Sequence, residues 1–263
     1  MLIAQLSDSH IDALRPAKAD ALRRAVTHLL DLPRRPDAVI VTGDCTDHGT
    51  REEYAEFKKL IQPLSMPVYV VPGNHDDRAV MLGQFGAQGT SSLPGFMQYV
   101  VDAGPLRLIA LDTHIPGEGG GLLDAERLHW LSDRLDEAPG RPTLIFMHHP
   151  PLVSGLKVMD ALGLSGTEGF REIVSRHPQV ERIVAGHTHM AQTRRFAGTL
   201  AMTCPGTDHA LLPDLTQPDK LVARSQPPLC LLHAWSEETG LLTSTSVIAP
   251  APLITVHDGQ RWV

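Results

Sequence analysis

The 263-residue chain is short of several things, and each shortage excludes a class of protein. No apolar run approaches the ~20 residues that a membrane-spanning helix needs. The opening, Met1-Leu-Ile-Ala-Gln-Leu-Ser-Asp8, lacks the basic and long apolar stretches of a signal peptide. Three cysteines, Cys45, Cys204 and Cys230, have no C-x-x-C spacing, so they make neither a disulfide framework nor a cysteine-rich zinc site. Together these absences lead us to expect a cytoplasmic chain with no membrane partner. No basic tract offsets the net charge of −7, which argues against a partner that is a nucleic acid polymer. Aromatic residues make up only 5%, so surfaces for stacking a purine are scarce.

What the chain has in excess is histidine, 14 residues against three cysteines. Histidine is the commonest metal ligand and titrates near neutrality, so the positions of these residues matter. Short apolar runs alternate with amphipathic segments, the pattern of an α/β protein. Strands are expected at residues 2–7, 37–42, 66–71, 97–101, 106–112, 143–147 and 180–185. Helical spacing covers residues 21–30 (after Pro16), 51–61, 124–138 and 168–177. Residues 191–204 read as two short strands around Ala197-Gly198. The five prolines of 205–228 suggest an irregular arm, and a hairpin follows at 229–235 and 241–248. The expected division is a catalytic domain at 1–204 and, at 205–263, a cap or dimerisation arm whose last strands pack back on the core.

Five strands run out directly into residues of ligand type: Asp8 and His10, Asp44, Asn74 and His75, His148, and His187 and His189. Sites in open α/β sheets lie outside the carboxyl ends of strands, so these segments can converge on one rim. One aspartate after a strand is ordinary turn chemistry, but five such ends point to a shared site. Asp8-x-His10 and His187-x-His189 each place two donors on one side of an extended strand end. Asp44 can bridge two ions through its two oxygens, and Asn74 can offer a neutral carbonyl. The preceding Gly43, Gly73 and Gly186 permit tight turns. These donors fit two adjacent metal ions.

In this order, Asp8-x-His10, Gly43-Asp44, Gly73-Asn-His-Asp76, His148 and Gly186-His-x-His189 resemble the calcineurin-like metallophosphoesterase superfamily. Within it, Phe146-Met-His-His-Pro-Pro151 and Pro205-Gly-Thr-x-His209 look most similar to the bacterial class III phosphodiesterases. That branch includes glycerophosphodiesterases and cyclic-nucleotide phosphodiesterases. The resemblance implies an α/β (α+β) fold, a four-layer αββα double β-sandwich with a dinuclear site at one edge. It also implies a C-terminal arm and a homo-oligomer, dimer or higher. One ion would be held by Asp8, His10, Asp44 and His189, the second by Asp44, Asn74, His148 and His187. His75 would stay off the metal, because its side chain diverges from that of Asn74, and would act as the catalytic residue beside the phosphate. Asn74, His75 and His209 would contact substrate. Purple acid phosphatases of the superfamily carry Gly-Asp-x-x-Tyr, whereas Gly43-Asp44 is followed here by Cys45-Thr46-Asp47, so no ferric–tyrosinate centre is implied.

The chemistry agrees with that assignment. Two divalent ions, two carboxylates and a bridging hydroxide leave a net charge of about +1, which attracts a phosphodiester monoanion. Ions ~3.5–4 Å apart clamp an in-line displacement and generate hydroxide near neutral pH. An imidazole acid beside a poor alkoxide leaving group supplies ~10²–10⁴ in rate. Mixed imidazole and oxygen ligands suit two divalent transition-metal ions, Mn, Fe, Zn or Co, better than Mg or Ca. The expected function is hydrolysis of small phosphodiesters by a metal-bound hydroxide, glycerophosphodiesters first and 3′,5′-cyclic nucleotides (cAMP) as the alternative. A nuclease would need a basic groove, and a metal-free scaffold would have lost ligands that are all present here. Of the remaining residues, Asp76 is expected to cap the next helix, His149 to pack beside the site, and Cys45 to fill the core. Asp112 and His114 are expected on the substrate side, and Asp160 as a loop carboxylate in solvent.

Overall fold

The computed structural model describes residues 1–213, 216–217, 219–224 and 228–249, and singly residues 254, 256, 257, 260 and 261. The first third alternates strand and helix: β1 (Leu2–Leu6), α1 (Pro16–Asp31), β2 (Ala38–Val41), α2 (Arg51–Ile61), β3 (Val68–Val70) and α3 (Arg78–Phe85). Proline opens α1, where a missing N–H costs nothing. A capping box opens α2: the Thr50 side chain accepts from the Glu53 N–H, and the Glu53 carboxylate accepts from the Thr50 N–H.

The middle of the chain supplies β4 (Tyr99–Ala103), β5 (Leu106–Ala110), β6 (Gly121–Leu122), α4 (Ala125–Asp136) and β7 (Thr143–Phe146). It continues with α5 (Lys157–Ala161), β8 (Leu164–Ser165), α6 (Thr167–Ser175), β9 (Val180–Ala185), β10 (Thr193–Phe196) and β11 (Thr199–Thr203). The last part holds β12 (Ala210–Leu211), β13 (Ala223–Arg224), β14 (Leu229–Ser236) and β15 (Gly240–Val247).

Two mixed sheets carry the fold. The first runs β15-β14-β1-β2-β3, parallel from β1 to β3 and antiparallel at β14 and β15. The second runs β10-β11-β9-β7-β5-β4, parallel from β11 to β5 and antiparallel at both edges. Alternate side chains along each strand build the layers. Ala4, Leu6, Val39 and Val41 meet Leu22, Leu29, Tyr54 and Phe57 of the helices on one side. Ile3, Ala38 and Ile40 face the other way, onto Leu108, Leu144, Phe146 and Val184 of the second sheet. Beyond it, Ile109, Ile145 and Ile183 pack on Trp130, Leu131 and Phe170 of α4 and α6. The order is helix, sheet, sheet, helix, and the parallel strands of both sheets deliver their carboxyl ends to one shared edge.

The structure corrects one expectation here. Asp77, not Asp76, caps α3, its side chain accepting from the Val80 N–H at 2.9 Å. Asp76 is turned inward by hydrogen bonds described below. The C-terminal hairpin is present as β14 and β15, and β14 pairs antiparallel with β1, Leu2 opposite Ala234. In the stretch before it, β12 pairs with β13. Parts of the arm expected over 205–263, among them residues 225–227 and 250–253, lie outside the described residues. Among the described residues, no helix is long and apolar enough to cross a membrane.

Candidate metal centre

The loops after β1 and β2 run side by side, held by main-chain bonds from Asp8 to Gly43 (3.1 Å), His10 to Asp44 (2.9 Å) and Ile11 to Cys45 (3.1 Å). The loops after β7 and β9 join similarly, the Gly186 N–H donating to the His148 carbonyl at 3.0 Å. The glycines are required by close approach. A Cβ on Gly73 would lie 2.1 Å from Asp44 Oδ1, and one on Gly43, whose φ is +87°, would lie 2.4 Å from His148 Nδ1. Asp8, His10, Asp44, His187 and His189 themselves hold φ between 44° and 68°, the left-handed region that L-residues seldom occupy.

These loops bring Asp8, His10, Asp44, Asn74, His148, His187 and His189 into one cluster. Asp44 Oδ2 lies 3.5 Å from His10 Nε2 and 3.4 Å from His148 Nε2. On one side of it, His10 Nε2 faces His189 Nε2 at 3.2 Å, and His189 Nε2 lies 3.4 Å from Asp8 Oδ1. On the other side, Asn74 Oδ1 sits 3.1 Å from His148 Nε2 and 3.0 Å from His187 Nδ1. Two half-clusters therefore meet at Asp44. All of these residues except the partly exposed Asn74 are buried.

The second nitrogen of three of the histidines tells which atom is free to ligate. His148 Nδ1 donates to the Thr42 carbonyl at 2.7 Å, His187 Nε2 to the Leu162 carbonyl at 3.0 Å, and His10 Nδ1 to the Asp47 carboxylate at 3.1 Å. Carbonyls and carboxylates only accept, so those nitrogens carry the protons. When these rings are neutral their inward nitrogens are lone pairs, and two of them, His148 Nε2 and His187 Nδ1, face the Asn74 carbonyl oxygen, which is also an acceptor. A cation resolves that juxtaposition, and outer hydrogen bonds of this kind orient ligating histidines. The donor set therefore fits a metal centre.

Charge in the cluster follows from burial and pairing. Burial opposes a charge on Asp44, yet His148, His10 and His75 hold its carboxyl well below the usual range. Burial raises that of Asp8. His148 is pushed up to about 9: burial works against its charge, but Asp44 and Asp8 outweigh it. Burial, with the neighbouring His148, lowers His187 to about 4. In the metal-free cluster these shifts favour an ion pair between Asp44 and His148 and a neutral His187.

His75 and His209 flank the cluster. The His75 ring stands edge-on to His10 at 4.7 Å, its side chain 43% exposed, and its Nδ1 donates to the Asp47 carbonyl at 3.0 Å. Its main-chain N–H donates to Asp44 Oδ1 at 2.9 Å. A triad of His10, Asp44 and His75 has donor atoms within 4.8 Å of one another, so His75 lies closer to the ligand set than a wholly separate role requires. The His209 ring lies 4.4 Å from that of His189, and its Nδ1 donates to Asp208 Oδ1 at 2.7 Å. His149 is buried against His187 at 4.6 Å, with Nδ1 bonded to Thr113 Oγ1 and Nε2 to the Gly119 carbonyl.

Three minor expectations change. Asp76 is a buried junction: its carboxylate accepts from the N–H groups of Gly73, Cys45 and Thr46 and the hydroxyls of Thr46 and Tyr54. Asp112 is buried and consumed by Arg78 and by the Met97 and His114 N–H groups, so it does not face a substrate. Asp160 accepts from the Ser154 N–H and hydroxyl and from the Gly155 N–H, stapling a loop rather than standing in solvent. Sequence reasoning passed over Asp47, Lys18 and Asp208, which lie just behind the histidines. Asp208 adjoins His209, the one signal that could have found it.

A family model described as calcineurin-like phosphoesterase matches residues 1–191. The chain belongs to that family. A "Probable glycerophosphodiester phosphodiesterase GpdQ" of Arcobacter nitrofigilis is 36% identical over 94% of this chain and 93% of its own length. The "3′,5′-cyclic adenosine monophosphate phosphodiesterase CpdA" of Pseudomonas aeruginosa is 31% identical over 79% of this chain and 76% of its own. Among solved structures, a dimetal phosphatase from Danio rerio superposes with a TM-score of 0.67 at 17% identity, covering 95% of this calcineurin-like phosphoesterase and 99% of that chain. At that identity the likeness is one of fold.

Proposed function

We propose that this chain is a dinuclear metal-dependent phosphodiesterase that hydrolyses glycerophosphodiesters. The observation that carries the reading is the pair of donor half-clusters meeting at Asp44, with outer hydrogen bonds that leave lone pairs facing inward. The preference for glycerophosphodiesters is supported by coverage: relatives named GpdQ align over 94% and 89% of the chain, the one named CpdA over 79%.

Asp8, His10, Asp44 and His189 would hold one ion, and Asp44, Asn74, His148 and His187 the other. Imidazole and oxygen donors favour Mn, Fe, Zn or Co. Two such divalent ions, when bound, supply Lewis acidity toward a phosphoryl group and bring water toward ionisation at neutral pH. The chain's own residues do the rest. The Nδ1–H of His75 is engaged by the Asp47 carbonyl, so Nε2 is the nitrogen left to meet a leaving group. As an imidazolium, His75 delivers the Nε2 proton to the departing alkoxide. Asp208 holds the ring of His209 at the edge of the cluster, where it would contact the substrate. Asn74 touches both the second half-cluster and the substrate. The stretch that carries His209 belongs to the C-terminal arm, which on this reading closes the site and joins copies of the chain into a homo-oligomer.

The likeness to CpdA favours one second reading, hydrolysis of 3′,5′-cyclic nucleotides. Initial rates on glycerophosphoethanolamine, cAMP and a phosphomonoester, with Mn(II), Fe(II), Zn(II) and Co(II) in turn, separate the two. The highest kcat/KM is expected for glycerophosphoethanolamine. A tenfold advantage for cAMP would transfer the function to the second reading, and a preference for the monoester would overturn both.

A further inference from the structure

Asp47 is a nearly buried carboxylate with two partners on a single oxygen. Its Oδ1 accepts from His10 Nδ1 at 3.1 Å and from Lys18 Nζ at 3.0 Å. Lys18 is itself buried, on the first turn of α1, and Arg15 Nη1 approaches Asp47 Oδ2 at 3.8 Å. A solvent-side ion pair gains little, whereas burying Lys18 and Asp47 together demands close pairing. On the far side of the same imidazole, Nε2 faces Asp44 Oδ2 and His189 Nε2. Lys18, Asp47 and His10 thus form a chain of contacts that ends on the donor cluster.

We propose that Asp47 is a positioning residue whose carboxylate fixes the ring and tautomer of His10, and that Lys18 moderates it, so that the pair sets the affinity of one ion. The inference rests on the reading of His10 as a ligand. An ionised carboxylate can only accept, so it holds the proton on Nδ1 and the lone pair on Nε2. It also makes the imidazole a stronger donor, as carboxylates behind ligating histidines do. Lys18 withdraws part of that negative charge and places a cation behind a cation site. The two residues therefore act on affinity with opposite signs, which a merely structural role would not produce.

The main-chain carbonyl of Asp47 holds His75, so Asp47→Asn changes the carboxylate while keeping that bond available. The test is a Mn(II) titration of the full chain, followed by the free-ion electron paramagnetic resonance signal, for wild type, Asp47→Asn and Lys18→Met. Wild type is expected to bind two ions. Asp47→Asn should weaken one of them ~10–100-fold and leave the other within about threefold. Lys18→Met should bind that same ion more tightly than wild type. Unchanged affinities in Asp47→Asn, or weakening by both variants alike, would overturn the proposal. If Asp47→Asn does not fold, Lys18→Met decides: tighter binding supports the proposal, and equal or weaker binding overturns it. A wild type that binds fewer than two ions contradicts the two-ion reading itself, and this inference falls with it.

Discussion

Asp8, His10, Asp44, His187 and His189 share a backbone habit that is rare for any one of them: φ between 44° and 68°. Residues held so cost on the order of 1–3 kcal/mol each, and such strain gathers at functional sites. At each of these strand ends the left-handed backbone sets the direction in which the side chain leaves the chain. Each residue therefore matters for its direction as well as its chemistry. Asp44, which faces both half-clusters, is the least replaceable. Asp44→Ala should abolish turnover and weaken both ions, measured as metal content together with initial rate. His75→Ala should keep both ions and lose ~10²–10⁴ in kcat, most for diesters with poor leaving groups. Loss of metal in His75→Ala would show that the ring is a ligand. These residues were legible in the sequence because each follows directly on an apolar strand. Asp47 and Lys18 were not, because the partner of His10's outer nitrogen, and the cation behind that partner, are fixed by three-dimensional approach and obey no spacing rule.

At the scale of elements, the site depends on how five loops are clipped together. Main-chain bonds join the loops after β1 and β2 and those after β7 and β9, and Asp76 ties the turn after β3 to the loop after β2 and to Tyr54 on α2. Burial and the neighbouring Asp44 raise its carboxyl to about 6. Asp76→Ala would leave five donors without their acceptor, so a loss of ~3 kcal/mol or more is expected, read from the urea midpoint. A loss below about 1 kcal/mol would mean that the loops hold without it. In the sequence, Asp76 passed for a helix cap because a cap and a buried junction use the same residue type before the same helix. The long elements were plain: α2 begins and ends where its spacing says, and the buried strands fall within two residues of their apolar runs. The two-residue strands β6, β8, β12 and β13 carry no periodicity and could not be read.

At the scale of the molecule, the order of strands in the two sheets was not legible, because alternation fixes which face is buried but not which neighbour is paired. β14 joins β1 across more than two hundred residues of chain, and only the folded sheet reveals it. The same assembly buries opposite charges together at the cluster, which has a measurable consequence. In the metal-free protein His148 rises from 6.5 to about 9, so it is protonated at neutral pH. That raised value stabilises the metal-free fold fully below 6.5, and the contribution is lost as pH climbs through about 9. Ligation needs the neutral ring, so metal uptake at pH 7.5 must expel this proton, and affinity should rise with pH until about 9. His187, lowered to about 4, is already neutral and adds nothing. Calorimetry in two buffers of different ionisation enthalpy should give roughly one proton or more released on metal uptake. No release would mean that the Asp44–His148 ion pair is absent.

The central claim is that two ions at this cluster make a phosphodiesterase. The direct measurement is to strip the protein of metal, add Mn(II) in steps, and follow hydrolysis of glycerophosphoethanolamine at each step. No turnover is expected without metal, and activity should rise to saturation at two equivalents per chain. Turnover that persists in the stripped protein, or none at any Mn(II) concentration, would contradict the claim.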